Sequence, residues 1–215
     1  MRHLLLDLDD VLFDVTHTDD GNTRFYWSKD IEKDLGLAPF DSRDFFKADT
    51  FTLDVQADNE KLLQHTEMVM NSEKYRRFGV SAADFLNYYH EKNSIFNTKV
   101  YEFFMEQKRR GFGISIATNQ TKRRMEFLLE KYPQLNNLAE YIFVSSTIGH
   151  LKPAPEFFLY VREKLALPFA EICMIDDKQK TIDACRVMGM TASLCFHDFE
   201  SFKRQFESLK TEIIS

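Results

Sequence analysis

The strongest constraint on the fold is a set of short apolar runs that recur along the chain. Residues 2–8, 113–117 (GISIA), 141–145 (YIFVS), 171–175 (EICMI) and 191–196 (TASLCF) are rich in aliphatic, β-branched or aromatic side chains, and several end in acidic or hydroxyl groups. A strand that is apolar at nearly every position is buried on both faces, which a parallel sheet covered by helices on both sides permits. Between the runs, Met125, Leu128, Leu129 and Tyr132 follow the i, i+3, i+4, i+7 spacing of an amphipathic helix, and Phe157, Phe158, Val161 and Leu165 approximate it. This alternation predicts βαβ units and therefore an α/β fold. Phe199, Phe202, Phe206, Leu209 and Ile213 predict a final helix whose Phe stripe packs into the core.

Residues 16–98 follow a different pattern. Leu62, Leu63, Met68 and Val69, then Phe85, Leu86, Tyr88 and Tyr89, have helical spacing, and no buried strand is evident. Ser81 followed by Asp84 predicts a helix start, and Pro39 marks a break between earlier helices. The expected organisation is a core of residues 1–15 and 99–215 carrying a helical insertion at 16–98.

Composition narrows the class of partner. With 44% hydrophobic and 29% charged residues the chain has the balance of a folded globular protein. A net charge of -6 and a pI near 5.6 oppose non-specific nucleic-acid binding, which needs a positive field. An anionic substrate must then be captured by a local cationic pocket. Carboxylates interrupt the first apolar run within a few residues, so it predicts neither a signal segment nor a membrane span, and the expected compartment is the cytoplasm. Cys173, Cys185 and Cys195 lie far apart among apolar neighbours, as small core residues do.

The polar residues at the run ends carry the chemistry. The first run delivers Asp7, Asp9 and Asp10, and residues two apart on a strand share a face. If the chain turns after Leu8, Asp7 and Asp9 both reach the carboxyl edge of the sheet, where open α/β sheets bind ligands. Two carboxylates 4 Å apart repel by about 4 kcal/mol at an effective dielectric near 20, so a cation or a shared proton is required. Magnesium, a hard cation that takes carboxylate and phosphate oxygens, meets that need. The second run ends in Thr118 and Asn119, hydrogen-bond donors suited to anions. After the third, Lys152 precedes two prolines that restrict its loop. The fourth ends in Asp176 and Asp177, a second carboxylate pair. Taken singly, these are also what a solvated acidic loop, a helix cap, a surface lysine and a helix start look like.

Taken together and in this order, DLDDV at 7–11, ATN at 117–119, LKPAPEFF at 151–158 and IDD at 175–177 resemble the haloacid dehalogenase superfamily. The insertion is similar to the helical cap of that superfamily's first subclass. The segment EKYPQLNNLAEYIFVSSTIGHLKP is similar to bacterial members that hydrolyse sugar phosphates such as glucose 1-phosphate. The resemblance implies a Rossmannoid sheet in the order 5-4-1-2-3 with the cap over the active site. It implies that Asp7 is the nucleophile and that Asp9 is first acid, then base. Thr118 and Asn119 would hold phosphoryl oxygens, and Lys152 would neutralise charge. Magnesium would be held by Asp7, the Asp9 carbonyl and Asp177, with Asp176 nearby. Dehalogenases of the superfamily lack an acid at the Asp9 position, so the expected activity is a phosphatase acting on a small phosphorylated metabolite. The position four after Asp177, commonly Asp or Asn in the family, is Thr181 here, with Asp183 or Asp176 as possible compensation.

Other features read as structure. Gly111 to Gly113 precede a strand instead of following one, so they form a turn and not a dinucleotide loop. The basic runs at 108–110 and 122–124 are expected to be solvated. His17, Trp27 and Lys29 lie where substrate discrimination could occur, but as isolated residues fit packing better. Two alternatives stay open: a phosphotransferase or sugar-phosphate mutase that excludes water from the aspartyl-phosphate, and a phosphate-binding member without turnover.

Overall fold

The computed structural model describes residues 1–19 and 22–214. In chain order the strands are β1 (His3–Leu6), β2 (Phe13–Asp14), β3 (Thr16–Asp19), β4 (Asn22–Phe25), β5 (Ile95–Phe96), β6 (Gly113–Thr118), β7 (Ile142–Val144), β8 (Ile172–Asp176) and β9 (Leu194–Cys195). Five of them form a parallel sheet in the order β7-β6-β1-β8-β9. This is the expected mixed α/β architecture, with the first strand central.

Burial explains why β1 is apolar at every position after His3. Leu4, Leu5 and Leu6 are fully buried, and their side chains alternate between the two faces of the sheet. Leu4 and Leu6 join Val100, Phe104, Met125, Leu128, Phe202 and Phe206 in one apolar cluster. Leu5 joins Phe143, Phe157, Phe158, Val161 and Ile182 in another. Each fully buried side chain of this kind contributes roughly 1.5–3 kcal/mol, so both faces hold the strand in place. Cys173, Cys185 and Cys195 are buried free thiols within these clusters.

Between the core segments lies a third apolar cluster, which includes Trp27, Ile31, Phe45, Leu62, Val69, Phe85 and Tyr89. Its longest helices are Asn59–Met70 and Ala82–Lys92, and the Ser81 hydroxyl caps the second by accepting from the Asp84 N–H. Met68, grouped above with the apolar stripe, is instead 54% exposed. The insert is also not purely helical. It is rooted by the antiparallel pair β2–β5, and β3 and β4 form a further antiparallel pair. These strands are short, and β3 and β4 are polar, so they lack the buried alternation by which a strand is recognised. Among the described residues, no helix is long and apolar enough to cross a membrane.

Candidate active site

Four parallel strands bring their carboxyl ends to one place. Asp7 directly follows β1; its Oδ1 accepts from the Leu8 N–H at 2.8 Å and lies 2.9 Å from the Lys152 ammonium. Oδ2 takes no hydrogen bond from the described residues. The chain then turns sharply through Asp10, whose φ of 55° is left-handed. Asp tolerates that conformation when its side chain bonds locally, and here the Asp10 carboxylate accepts from the N–H groups of Val15 and Thr16 and from the Thr16 hydroxyl.

Thr118 ends β6 with its hydroxyl buried and without a partner. Asn119 engages the main chain of Lys152. Its amide donates to the Lys152 carbonyl at 2.9 Å and accepts from the Lys152 N–H at 2.8 Å. The Asn119 side chain therefore clamps the lysine main chain, and only its second amide hydrogen is left over for an anion. Lys152 itself is buried, with its ammonium 2.7 Å from Asp176. Asp176, at the end of β8, also accepts from the Lys178 N–H, and Asp177 pairs with the exposed Lys178 ammonium at 3.0 Å.

Asp7, Asp176 and Asp177 offer carboxylate oxygens within 4.8 Å of one another, with the Lys152 ammonium beside Asp7 and Asp176, that of Lys178 on Asp177, and Lys180 lining the same pocket. Burial drives the Asp7 carboxyl up to about 7, opposed chiefly by Lys152. Burial also raises Asp177. For Asp176, burial acts upward but is outweighed by the charge and hydrogen bond of Lys152, and the net shift is downward. Three hard oxygen donors this close together fit a divalent cation such as magnesium. The trio forms without a carboxylate at residue 181: Thr181 is buried and lines the same pocket. Asp183 does not compensate, because it is exposed and accepts from Gln179 on its own helix.

Asp9 is held by a residue the sequence did not single out. Arg124 donates from Nη1 and Nη2 to the two Asp9 oxygens at 2.8 and 2.9 Å, and Gln120 adds a bond at 2.6 Å. Arg124 Nη2 also donates to the Asn93 carbonyl, at the end of the insert's last helix. The expectation of a solvated basic run fails at this position. Lys122 is exposed, but Arg124 is 1% exposed. The available signal was its phase: Arg124 lies four residues before Leu128, on the buried face of the helix Lys122–Lys131.

Two cavities meet at Asp9 and Asn119. One, of about 170 Å³, is lined by Asp7, Thr118, Lys152, Pro153, Asp176 and Thr181 among others. The second, of about 210 Å³, lies between core and insert and is lined by Phe25, Phe46, Phe51, Gln56, Tyr89, Asn93, Gln120 and Thr121 as well as the shared pair. Of the three residues considered for discrimination, Trp27 is fully buried among aromatic rings, Lys29 is exposed, and the His17 side chain lies outside the described residues.

Known proteins bear on this arrangement. A haloacid dehalogenase (HAD) family enzyme of Bacteroides thetaiotaomicron, in complex with magnesium and inorganic phosphate, superposes with a TM-score of 0.70 at 15% identity, covering 91% of this chain and 93% of that one. A HAD-like family hydrolase of Porphyromonas gingivalis gives 0.67 at 15% identity, with 91% and 90% covered. The Bacillus subtilis HAD-hydrolase YfnB, bound to magnesium, gives 0.54 at 17% identity, with 87% and 83% covered. Drimenol cyclase drtB of Aspergillus calidoustus is 31% identical over 100 residues, or 46% of this chain, which spans only 18% of that protein's length. The haloacid dehalogenase-like hydrolase family matches residues 1–189. With that match over most of its length and the shared fold beneath it, the chain belongs to the haloacid dehalogenase-like hydrolases.

Proposed function

We propose that this hydrolase is a magnesium-dependent phosphatase that cleaves a small phosphomonoester through an aspartyl-phosphate on Asp7. The observation that carries the reading is the composition of the smaller cavity: a carboxylate with one unengaged oxygen, a buried ammonium and a buried hydroxyl without a partner. That set suits a phosphoryl group better than an uncharged ligand.

The Asp7 carboxylate attacks phosphorus, the bond from phosphorus to the alcohol oxygen breaks, and Asp9 gives that oxygen a proton. Water then attacks phosphorus, Asp9 takes its proton, and the bond from phosphorus to Asp7 breaks, which releases inorganic phosphate and restores both groups. Lys152 and the Thr118 hydroxyl meet the phosphoryl oxygens as charge moves onto them. Magnesium at Asp7, Asp176 and Asp177, with the Asp9 carbonyl as a further donor, would supply electrostatic neutralisation of the phosphate. We place residues 16–98 as the cap over this edge, and the three buried free thiols fit a reducing cytoplasm.

Asp9 keeps 25% of its side chain exposed, so water reaches the base, which supports hydrolysis over transfer to a second alcohol. The motif resemblance by itself points to a sugar phosphate, and the lining of the adjoining cavity argues for a less polar alcohol. The test is phosphate release from a panel of phosphomonoesters with and without magnesium, with Asp7→Asn alongside. Release that needs both the metal and Asp7 supports the reading, and release that survives Asp7→Asn overturns it.

A further inference from the structure

The larger cavity differs in chemistry from the phosphate pocket beside it. The two compartments share Asp9 and Asn119. An acid that protonates a leaving oxygen must stand where phosphate ends and alcohol begins, so the larger cavity is where the alcohol would lie. On the insert side its wall is aromatic. Phe25, Phe46 and Phe51 are only partly buried although they belong to the insert's apolar cluster. Phe46 lies 5.3 Å from Phe51 and 5.9 Å from Tyr89, ring centre to ring centre, both edge to face.

The polar groups of the wall are largely committed. Gln56 donates its amide to the Phe51 carbonyl, Gln120 donates to Asp9, and the Asn119 amide holds Lys152; the Thr121 hydroxyl accepts from the Arg124 N–H, and the Tyr89 hydroxyl lies against Asn93 and Arg124. Asn93 is buried, and its Oδ1 has no partner. Among the described residues, no lysine, arginine or histidine lines this cavity, and Asp9 is the one carboxylate. A second phosphate or a carboxylate on the alcohol would therefore meet no cation among these lining residues. A hexose would bring four hydroxyls to a wall with few free partners, and each one buried without a partner weakens binding. An apolar cavity of about 150 Å³ already accepts benzene, so about 210 Å³ suits one ring with a small substituent.

We infer that the leaving alcohol is an uncharged, mainly apolar single-ring group carrying at most one hydrogen-bond donor, seated against Phe25, Phe46 and Phe51. This deepens the phosphatase reading and rests on it for turnover.

The experiment compares benzyl phosphate with glucose 6-phosphate, both esters of primary alcohols, and uses acetyl phosphate as a donor too small to fill the cavity. The expected result is a kcat/KM for benzyl phosphate at least about tenfold above that for glucose 6-phosphate. Phe46→Gln should reduce that ratio by about tenfold, and a ratio taken within one variant is unaffected by loss of folded enzyme. Turnover of acetyl phosphate with glucose 6-phosphate equal to or better than benzyl phosphate overturns the inference alone. Inertness of all three overturns the phosphatase reading, and calorimetry then decides the cavity separately. Benzylphosphonate binding at least about tenfold tighter than methylphosphonate supports the apolar seat, and equal binding sinks it.

Discussion

Arg124 grips both carboxylate oxygens of Asp9, at 2.8 and 2.9 Å, while its Nη2 also donates to the main-chain carbonyl of Asn93. A single buried guanidinium thus joins the proposed acid of the core to the last turn of the insert. Two parallel N–H bonds fix the plane of a carboxylate as well as its position.

Arg124→Lys keeps the charge but loses the fork. We expect kcat to fall by about 10²-fold with little change in KM, because the lost contact orients a proton donor and does not hold substrate. The loss should be larger for alkyl phosphates than for p-nitrophenyl phosphate, whose leaving group needs no acid. Steady-state kinetics on both esters checks this, and an equal loss on each would mean that Arg124 acts only in folding.

Thr118 sets stability against binding. Its hydroxyl is buried with no partner, so Thr118→Val removes an unsatisfied group of about 1–3 kcal/mol without changing the side chain's outline much. The variant is expected to melt at a higher temperature than the parent while inhibition by inorganic phosphate weakens about tenfold. Thermal melts and phosphate titration read the two effects. A variant that gains no stability and binds phosphate as before would remove the hydroxyl from the proposed pocket.

Metal should be visible in stability as well as in turnover. A cation bound only by the folded chain at a hundred times its Kd adds about 2.7 kcal/mol, which in a chain of this size raises Tm by roughly 5–10 °C. EDTA should reverse the shift, Asp177→Ala should abolish it, and Asp183→Ala should leave it intact. Persistence of the shift in Asp177→Ala would place the metal elsewhere.

His90 gives the protein's stability a pH dependence of its own. Burial, then the charges of Arg124 and Arg123, push its imidazole down from 6.5 to about 3. Between those values the unfolded chain takes up a proton that the folded chain refuses. The contribution of His90 is therefore complete above pH 6.5 and declines as pH falls towards 3. By linkage the loss is about 2 kcal/mol at pH 5 relative to pH 7. In His90→Phe, which retains a ring against Phe127, urea titrations should show this part of the slope removed. A pH dependence identical to the parent's would refute it.

The core was legible because parallel strands buried on both faces write uninterrupted apolar runs, and the chemistry sits where those runs stop. Asp7, Thr118, Asp176 and Asp177, which meet in the candidate site, stand at or just after run ends, and Lys152 lies in the loop that follows the third run. Arg124 was not legible, because a charged residue in a basic run carries no mark of burial except its helical phase. Asn119 was recognised as polar and strand-terminal, but no pattern says whether an amide faces a ligand or a neighbouring main chain. The pair β3–β4 was missed although Asp20 and Gly21 make a hairpin-type dipeptide, because the flanking residues are polar. The aromatic wall was invisible for another reason: Phe25, Phe46, Phe51 and Tyr89 come from separate segments and meet only once the insert is packed.

The clamp of Asn119 on Lys152 has a mechanical consequence. The lysine main chain is tied on both its N–H and its C=O to one amide, and that amide follows Thr118 directly in the chain. The loop bearing the ammonium and the strand end bearing the hydroxyl therefore share a common anchor. Fluctuation of the surrounding helices carries both groups together, so the gap a phosphoryl group would span keeps its width while the rest of the molecule breathes.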